Sequence, residues 1–215
     1  MTKPKDGQSP AGPAWRWVSE RGLRLATGEG TLARYAMLKT LRVHEIEDII
    51  PADDSILLIL RRGETFSPAL RQMLTAMPAE APATNGTLHT LGLEYGGAAG
   101  PDLADLARQA GMDMETYIYS HAAVEYTVAF LGFQPGFPYL RGLPAALHAP
   151  RRASPRVRVA AGSVAIGGGY CGIYPACGPG GWQLIGRTDN TALFDPQRAA
   201  PALLLPGDRV RFVPA

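Results

Sequence analysis

The chain lacks the features that mark membrane, secreted and nucleic-acid-binding proteins. Its longest apolar run, Ile56 to Leu60, is far shorter than the roughly 20 residues that cross a bilayer. Its 21 Lys and Arg nearly balance its 19 Asp and Glu, so no strong field attracts nucleic acid or an anionic membrane. Residues 1–13 hold no apolar segment typical of a secretory signal. We therefore expect a cytoplasmic protein with neither nucleic acid nor membrane as partner.

Cysteine is also scarce. Cys171 and Cys177 have neither metal-site spacing nor the spacing of a Cys-x-x-Cys redox pair. His44, His89 and His148 form no metal-like pattern with the acidic residues. These absences predict free thiols in a reducing compartment and no metal site.

Glycine and proline, in contrast, are abundant. The 25 glycines and 19 prolines make up a fifth of the 215 residues, against an ordinary share of about 12%. No Gly-X-Y period explains them, and 18 of the 51 residues from Gly132 to Trp182 are Gly or Pro. We interpret this concentration as a set of ordered loops.

The first part of the chain predicts alternating strands and helices after a disordered tail at residues 1–14. Apolar spacing predicts a helix over Thr31 to Leu41, and the Ser67-Pro68 pair predicts the start of another that runs to Met77. The predicted strands are Gly22 to Ala26, Glu45 to Pro51, Ser55 to Leu60 and Leu88 to Leu93. The resulting β-α-β-β-α-β order over residues 15–95 is that of a ferredoxin-like domain.

Residues 96–215 have a different pattern. Pro101 opens a helix that Gly111 closes, and Asp113 caps a second helix over Met114 to Ala122. Short β segments divided by Gly and Pro then favour a closed β-barrel or a sandwich. They are Tyr126 to Leu131, Val157 to Val159, Ser163 to Ile166, Gly172 to Tyr174, Gln183 to Arg187, Ala192 to Phe194 and Arg209 to Val213.

The segment Phe130 to Leu140 is the densest in aromatic side chains. Phe133, Phe137 and Tyr139 alternate there with residues that fix or free the backbone. The pattern fits a buried turn packed by its own rings, and it also fits a rigid aromatic wall.

Four arginines follow at positions 151, 152, 156 and 158. Guanidinium groups bind carboxylate or phosphate, so the cluster is a candidate site for a small anionic substrate, although such runs are also common on solvated faces. If Val157 and Val159 point inward, Arg156 and Arg158 share the opposite face and act together or not at all.

Two glycine-rich segments, Ala161 to Gly169 and Gly178 to Trp182, allow backbone N–H groups to converge on an anion, or form sharp turns of a small barrel. Neither has the Gly-Lys-Ser/Thr of a P-loop, and Ser163 lacks the context of a nucleophile elbow. His121, just before the Tyr126 strand, is a candidate general acid or base, or else a cap or core residue.

Several motifs of the chain form one recognisable set. They are Phe130-Leu-Gly-Phe-x-Pro-Gly-Phe-Pro-Tyr-Leu140, Pro150-Arg-Arg152, Gly162-Ser-Val164, Gly172-Ile-Tyr-Pro175, Pro179-Gly-Gly-Trp182, Leu193-Phe-Asp-Pro196 and Pro206-Gly-Asp-Arg-Val-Arg-Phe212. Taken together, these motifs resemble the family of 5-oxoprolinase B subunits, also called allophanate hydrolase subunit 1 or the KipI family, which is similar to part of the carboxyltransferase domain of urea carboxylase. The resemblance runs nearly unbroken from about Tyr95 to Phe212 and is weaker over residues 15–95.

The resemblance implies an α+β fold, with a ferredoxin-like domain followed by a cyclophilin-like β-barrel over residues 96–215. It also implies a chain that works with a larger C-type subunit, and in 5-oxoprolinases with a third, lactam-utilisation subunit. That complex hydrolyses 5-oxo-L-proline to L-glutamate with consumption of ATP, so the present chain is expected to be inactive alone and to bind no cofactor by itself.

From the motifs and this resemblance together we predict two catalytic residues, His121 and Arg156. The predicted substrate-binding residues are Tyr126, Phe133, Pro135, Gly136, Phe137, Tyr139, Ser163, Gly168, Tyr174, Pro175 and Trp182. No metal ligand is predicted.

The chain departs from the family pattern in the loops expected to line a pocket. Ala160 stands where members commonly have Pro, and Tyr170-Cys171 replaces a Gln-Thr pair. Gly178 and Asp189 replace Ser or Thr and Pro. A phenol and a thiol offer different hydrogen bonds from an amide and a hydroxyl, so these changes bear on the substrate more than on the fold.

The sequence leaves two other functions open. One is a KipI-like inhibitor of a histidine kinase, which needs a partner-binding surface and no turnover. The other is a carboxyltransferase-type module that acts on a urea-like substrate with biotin. No Met-Lys-Met biotin-carrier motif occurs in the chain, so biotin would arrive on another polypeptide.

Overall fold

A computed structural model describes residues 14–78, 86–189 and 192–215. The chain divides into two compact units, Met1–Thr84 and Asn85–Ala215. The tail predicted at residues 1–14 lies outside the described residues except for Ala14. Among the described residues, no helix combines the length and the apolar character needed to cross a membrane.

The first unit is a four-stranded antiparallel sheet with two helices. The sheet order is β1-β2-β4-β3. The elements are β1 (Trp15–Trp17), β2 (Gly22–Ala26), α1 (Thr31–Leu41), β3 (Ile46–Pro51), β4 (Ser55–Leu60) and α2 (Pro68–Ala76).

Local signals account for most of these elements. Helix α1 has the predicted bounds, and Ser67 caps α2 by accepting a hydrogen bond from the Leu70 N–H at 3.0 Å. Leu23 and Leu25 of β2 face the same core as Leu38 of α1 and Leu74 of α2. Period-two alternation in the strands therefore meets the apolar stripes of both helices.

The second unit is a closed seven-stranded barrel with two helices packed on it. Going around the barrel, the order is β10-β7-β6-β13-β5-β12-β9. Among the described strands of the barrel, only β5 and β13 pair in parallel. The elements of this unit are β5 (Leu88–Tyr95), α3 (Leu103–Gln109), α4 (Met114–Ala122), β6 (Glu125–Leu131), β7 (Pro138–Arg141), β8 (Arg156–Val159), β9 (Ser163–Gly167), β10 (Tyr170–Ile173), β11 (Gly178–Gly180), β12 (Gln183–Thr188) and β13 (Arg209–Pro214).

Strand β5 corrects one prediction. The segment Leu88 to Leu93 is a strand, but it completes the barrel rather than the first sheet. It pairs with β12 on one side and along its length with β13 on the other, which buries Leu91 and Leu93 in the barrel core. The boundary between the units accordingly precedes this strand instead of following Tyr95.

Three further details of the second unit differ from the predictions. Pro138–Arg141 and Gly178–Gly180 are strands that the sequence pattern did not predict. The segment Ala192 to Phe194 contributes only an isolated bridge between Phe194 and Ala202. Val157 is 91% exposed rather than inward-facing, because β8 pairs only with β11 and stays outside the barrel.

The barrel wall has two differently packed faces. Val164 and Ile166 of β9 belong to the large barrel core, whereas Ala165 between them belongs to an aromatic cluster. In the same way, Ile185 of β12 faces the barrel core and Leu184 the aromatic cluster. Strands β9 and β12 therefore form a wall between the barrel interior and an outer aromatic face.

Candidate functional site

A cavity of about 260 Å³ lies on this outer face. Aromatic rings supply much of its lining, and two arginines stand among them. Its lining residues are Phe133, Phe137, Tyr139, Arg151, Arg152, Pro155, Tyr174, Pro179, Gly180, Gly181 and Trp182. Such a concave apolar surface with a few charged groups is typical of a small-molecule site.

The aromatic rings of the cavity pack edge to face. Phe137 lies at the centre, with ring centroids 5.2 Å from Tyr139 and Tyr174 and 5.4 Å from Trp182. Interplanar angles of 62° to 89° match the edge-to-face geometry that aromatic quadrupoles favour. The aromatic wall predicted from the sequence is therefore one contiguous cluster.

Glycines allow these rings to lie directly on the strands. A Cβ on Gly167 would stand 2.5 Å from the Trp182 ring, and one on Gly172 2.8 Å from the Phe137 ring. A Cβ on Gly180 would come within 2.2 Å of the Tyr174 hydroxyl. At these positions glycine supplies space for aromatic rings.

Phe133 occupies a strained loop position at the cavity. Its φ of 64° is unfavourable for a residue with a side chain, and the Gln134 N–H donates back to the Gly132 carbonyl at 2.7 Å. The side chain is 60% exposed, yet its ring lies edge-on to Phe137 with centroids 5.4 Å apart. Strain of this kind is common at binding sites, where it fixes a side chain in one orientation.

Two arginines give the cavity its positive charge. The Arg151 guanidinium lies 5.8 Å from the centroid of Trp182, a cation–π distance. The backbone N–H of Arg152 donates to the Gly181 carbonyl at 2.7 Å, which ties this residue to the cavity wall. Burial raises the pKa of the Tyr174 phenol, although Arg151 and Arg156 oppose the shift, so Tyr174 is protonated at neutral pH.

Asp102 is a residue of this site that the sequence did not reveal. Its Oδ1 accepts hydrogen bonds from Arg156 Nη2 at 2.8 Å and Arg152 Nη1 at 3.1 Å. Its Oδ2 accepts from the Leu184 N–H at 2.7 Å. These partners are between 50 and 82 residues away, so the only local signal was a Pro-Asp pair that predicts a helix start.

The prediction that Arg156 and Arg158 act together or not at all required Val157 to point inward, but Val157 is exposed and the two arginines have separate partners. Arg156 binds Asp102 and does not line the cavity, whereas the exposed Arg158 donates from Nε to Cys177 Sγ at 3.0 Å. Strand β8 lies outside the barrel, and its two arginines do not contribute to one common site.

His121, predicted as a general acid or base or else as a cap or core residue, lies on the other side of the barrel wall from the cavity. It is fully buried, with Nδ1 2.7 Å from the Tyr95 hydroxyl and Nε2 3.4 Å from Cys171 Sγ. Burial lowers its pKa from 6.5 to about 3 and raises the pKa of the Cys171 thiol. A neutral imidazole closed in the core is a structural hydrogen-bonding group.

Five of the predicted substrate-binding residues line the cavity: Phe133, Phe137, Tyr139, Tyr174 and Trp182. Six do not. Tyr126 is in the barrel core, where its hydroxyl donates to the His121 carbonyl at 3.0 Å. The Gly168 N–H donates to the Ala149 carbonyl at 2.7 Å, so it is engaged within the fold. The remaining four, Pro135, Gly136, Ser163 and Pro175, lie outside the lining.

Within the described ranges, no group of three or more His, Cys, Asp or Glu side chains is arranged to hold a metal ion. Both cysteines are free thiols, Cys171 buried and Cys177 exposed.

Comparison with known proteins identifies relatives that match most of the chain. Residues 15–204 match the family model described as carboxyltransferase domain, subdomain C and D. The chain is 48% identical over 171 residues to the B subunit of 5-oxoprolinase from Escherichia coli O157:H7, and the match covers 79% of this chain and 78% of that protein.

Solved structures show the same fold. A crystal structure of TTHA0988 matches with a TM-score of 0.77 and 35% identity over 91% of this chain, which spans only 40% of that longer protein. The urea carboxylase of Kluyveromyces lactis matches with a TM-score of 0.68 at 19% identity, over 97% of this chain and 22% of that one. The chain thus belongs to the carboxyltransferase-domain family that includes the B subunit of 5-oxoprolinase, as its motifs predict.

Proposed function

We propose that this chain is the B subunit of an ATP-dependent 5-oxoprolinase, which converts 5-oxo-L-proline to L-glutamate together with a larger C-type subunit. The observation that carries the proposal is the 48% identity to the B subunit of a known 5-oxoprolinase, which extends over most of both chains. The name of that relative favours a hydrolase subunit over a kinase inhibitor.

The cavity supports a small cyclic anion as substrate. 5-Oxo-L-proline is a five-membered lactam with one carboxylate. The rings of Phe137, Tyr174 and Trp182 offer apolar surface to such a ring, and Arg151 and Arg152 offer positive charge to the carboxylate.

Neither glycine-rich segment of the described residues has the form of an ATP site. The glycine-rich segment at Gly167–Gly169 joins two strands and opens no helix, and its Gly168 N–H is bonded to Ala149. The second segment, around Gly180, packs against Tyr174. Hydrolysis of an unstrained lactam needs activation of its carbonyl, and we assign the binding of ATP in this proposal to the partner chains.

Five finer features belong to the same proposal. The barrel is of the cyclophilin-like type. The first unit is a ferredoxin-like domain. In support, α1 connects β2 to β3 while β4 lies between these two strands in the sheet, as in a split β-α-β unit. Strand β1 occupies the edge next to β2, the position that the last strand of a ferredoxin-like sheet takes. The complex is cytoplasmic, contains a lactam-utilisation subunit as third component, and has no activity from this chain alone.

The test is reconstitution. The chain is purified with a C-type subunit and a lactam-utilisation subunit, and glutamate is measured after addition of 5-oxo-L-proline and ATP. We expect glutamate only when all proteins and ATP are present. A matched mixture without this chain is the control, and absence of glutamate from the complete mixture overturns the proposal.

A further inference from the structure

Asp102 joins two arginines to the wall of the cavity. Its Oδ1 accepts from both Arg152 and Arg156, while Oδ2 accepts from the Leu184 N–H. The Asp102 N–H also donates to the Leu184 carbonyl at 3.0 Å. Because Leu184 belongs to the aromatic cluster, Asp102 is fixed relative to the rings that line the cavity.

The position of Asp102 makes this arrangement unusual. Asp102 is the N-cap residue of α3, where an aspartate ordinarily accepts a hydrogen bond from the first helical turn. Its side chain makes no such bond, whereas Asp113 at the start of α4 does, to the Thr116 N–H at 2.7 Å. The carboxylate of Asp102 thus accepts hydrogen bonds from the two arginines and from Leu184 of β12 instead of capping its own helix.

The cluster of Asp102, Arg152 and Arg156 has a net positive charge and unused hydrogen-bond donors. One carboxylate faces two guanidinium groups, so one positive charge is uncompensated inside the cluster. Arg152 Nε and Arg156 Nη1 are both buried with no hydrogen-bond partner in the described structure. Of the two arginines only Arg152 lines the cavity, so it is the one that a ligand can reach.

We propose that Arg152 binds the carboxylate of a small cyclic substrate, and that Asp102 is a positioning residue that holds Arg152 for this contact with Arg156 behind it. This inference rests on the proposed function for the identity of the substrate, 5-oxo-L-proline. The carboxylate as the recognised group follows from the cavity and its arginines alone.

Two effects of Asp102 have opposite signs, which makes the inference testable. The substitution Asp102→Asn removes a negative charge and by itself would strengthen the binding of an anion. It also weakens the hold on Arg152, which would weaken that binding. We expect positioning to dominate, with KM for 5-oxo-L-proline in the reconstituted complex raised roughly 10-fold and kcat nearly unchanged.

The matched variants separate positioning from damage to the fold. Arg152→Gln leaves the bond between Asp102 and Leu184 intact and should raise KM at least as much as Asp102→Asn does. The double variant should have the KM of Arg152→Gln alone, because Asp102 acts through Arg152. Asp105→Asn, which breaks only an exposed pair with Arg108 on the same helix, is the control and should leave KM unchanged.

A binding experiment is independent of turnover. Isothermal titration calorimetry on the full chain compares cyclopentanecarboxylate with the uncharged cyclopentanecarboxamide. We expect the unmodified chain to prefer the carboxylate, and Asp102→Asn and Arg152→Gln to abolish that preference. No preference in the unmodified chain, or tighter carboxylate binding by Asp102→Asn, overturns the inference. Missing glutamate in the reconstitution overturns the proposed function only.

Discussion

The two faces of the barrel wall carry opposite kinds of chemistry, although the same strands supply both. On β10, Cys171 points inward to His121, while a Cβ on the neighbouring Gly172 would point outward to the Phe137 ring. The interior polar groups are closed off and held neutral by burial. The outer face keeps charged arginines beside open space.

This difference shows that neighbouring residues of one motif need not share one site. A strand reverses the direction of its side chains at every residue, so a conspicuous segment such as Tyr170 to Ile173 is divided between two environments. The interior half stabilises the barrel, and the outer half shapes the cavity. Substitutions on the two faces should therefore affect different measurements.

The largest expected effect is on stability and comes from the interior. His121→Ala removes a fully buried ring and leaves the Tyr95 hydroxyl without its partner. We expect the free energy of unfolding to fall by about 3 kcal/mol. Urea unfolding measures this change. KM for the substrate in the molecules that remain folded should stay close to that of the unmodified chain, and a large rise in KM would contradict the separation of the two faces.

The pH dependence of stability gives a second test of the interior. In the unfolded chain His121 binds a proton near pH 6.5, but in the folded barrel only near pH 3. Between these values the unfolded state holds more protons, so stability falls as the pH is lowered. At pH 5 the loss from this residue is about 2 kcal/mol relative to pH 7.

The measurement compares unfolding of the unmodified chain and His121→Gln at pH 7 and pH 5. The variant lacks the titrating imidazole, so its loss on acidification should be smaller by that amount. An equal loss in both proteins would mean that His121 is protonated in the folded barrel and that the interior is not closed.

The outer face is tested by adding a methyl group at Gly167. The new Cβ of Gly167→Ala would lie 2.5 Å from the Trp182 ring, which must move. We expect KM to rise roughly 10-fold as the cavity changes shape, with a stability loss of about 1 to 2 kcal/mol. Gly92→Ala on β5, whose Cβ meets only Asp189 Oδ2 at 4.0 Å, is the control. An unchanged KM in Gly167→Ala would mean that Trp182 is not part of the substrate site.

The sequence predicted much of the local structure and little of the division between the faces. Helices α1 and α4 followed from apolar spacing and from caps such as Asp113, all of which act within a few residues. The partner of the strand Leu88–Tyr95 depended instead on pairing with Arg209–Pro214, more than 100 residues later. Pairing at that distance leaves no local signal.

The site was predicted in part for the same reason. The aromatic residues near Phe137 form a dense segment, and they do lie together at the cavity. Asp102 was interpreted as a helix start because its arginine partners are distant in sequence. His121 is close in sequence to the Tyr126 strand, but the packing of α4 against β13 places it inside the barrel. Residues close in sequence could be placed together correctly within one helix, turn or loop, whereas contacts between distant segments could not be predicted.

The smallest expected effect concerns backbone strain on the outer face of the barrel unit. Phe133 is the one described residue of that unit other than glycine with a positive φ. Phe133→Gly and Phe133→Ala both remove the ring, so both should raise KM several-fold. They differ in the backbone: alanine at this φ costs about 1 kcal/mol more than glycine, so the glycine variant should be the more stable.

Val157, in the extended strand β8, is the control position. There the order should be reversed, with the alanine variant more stable than the glycine variant by roughly 0.5 to 1 kcal/mol. Urea unfolding of the four variants decides the point, because equal stabilities of the two Phe133 variants would mean that the loop relaxes freely and does not hold the ring over the cavity.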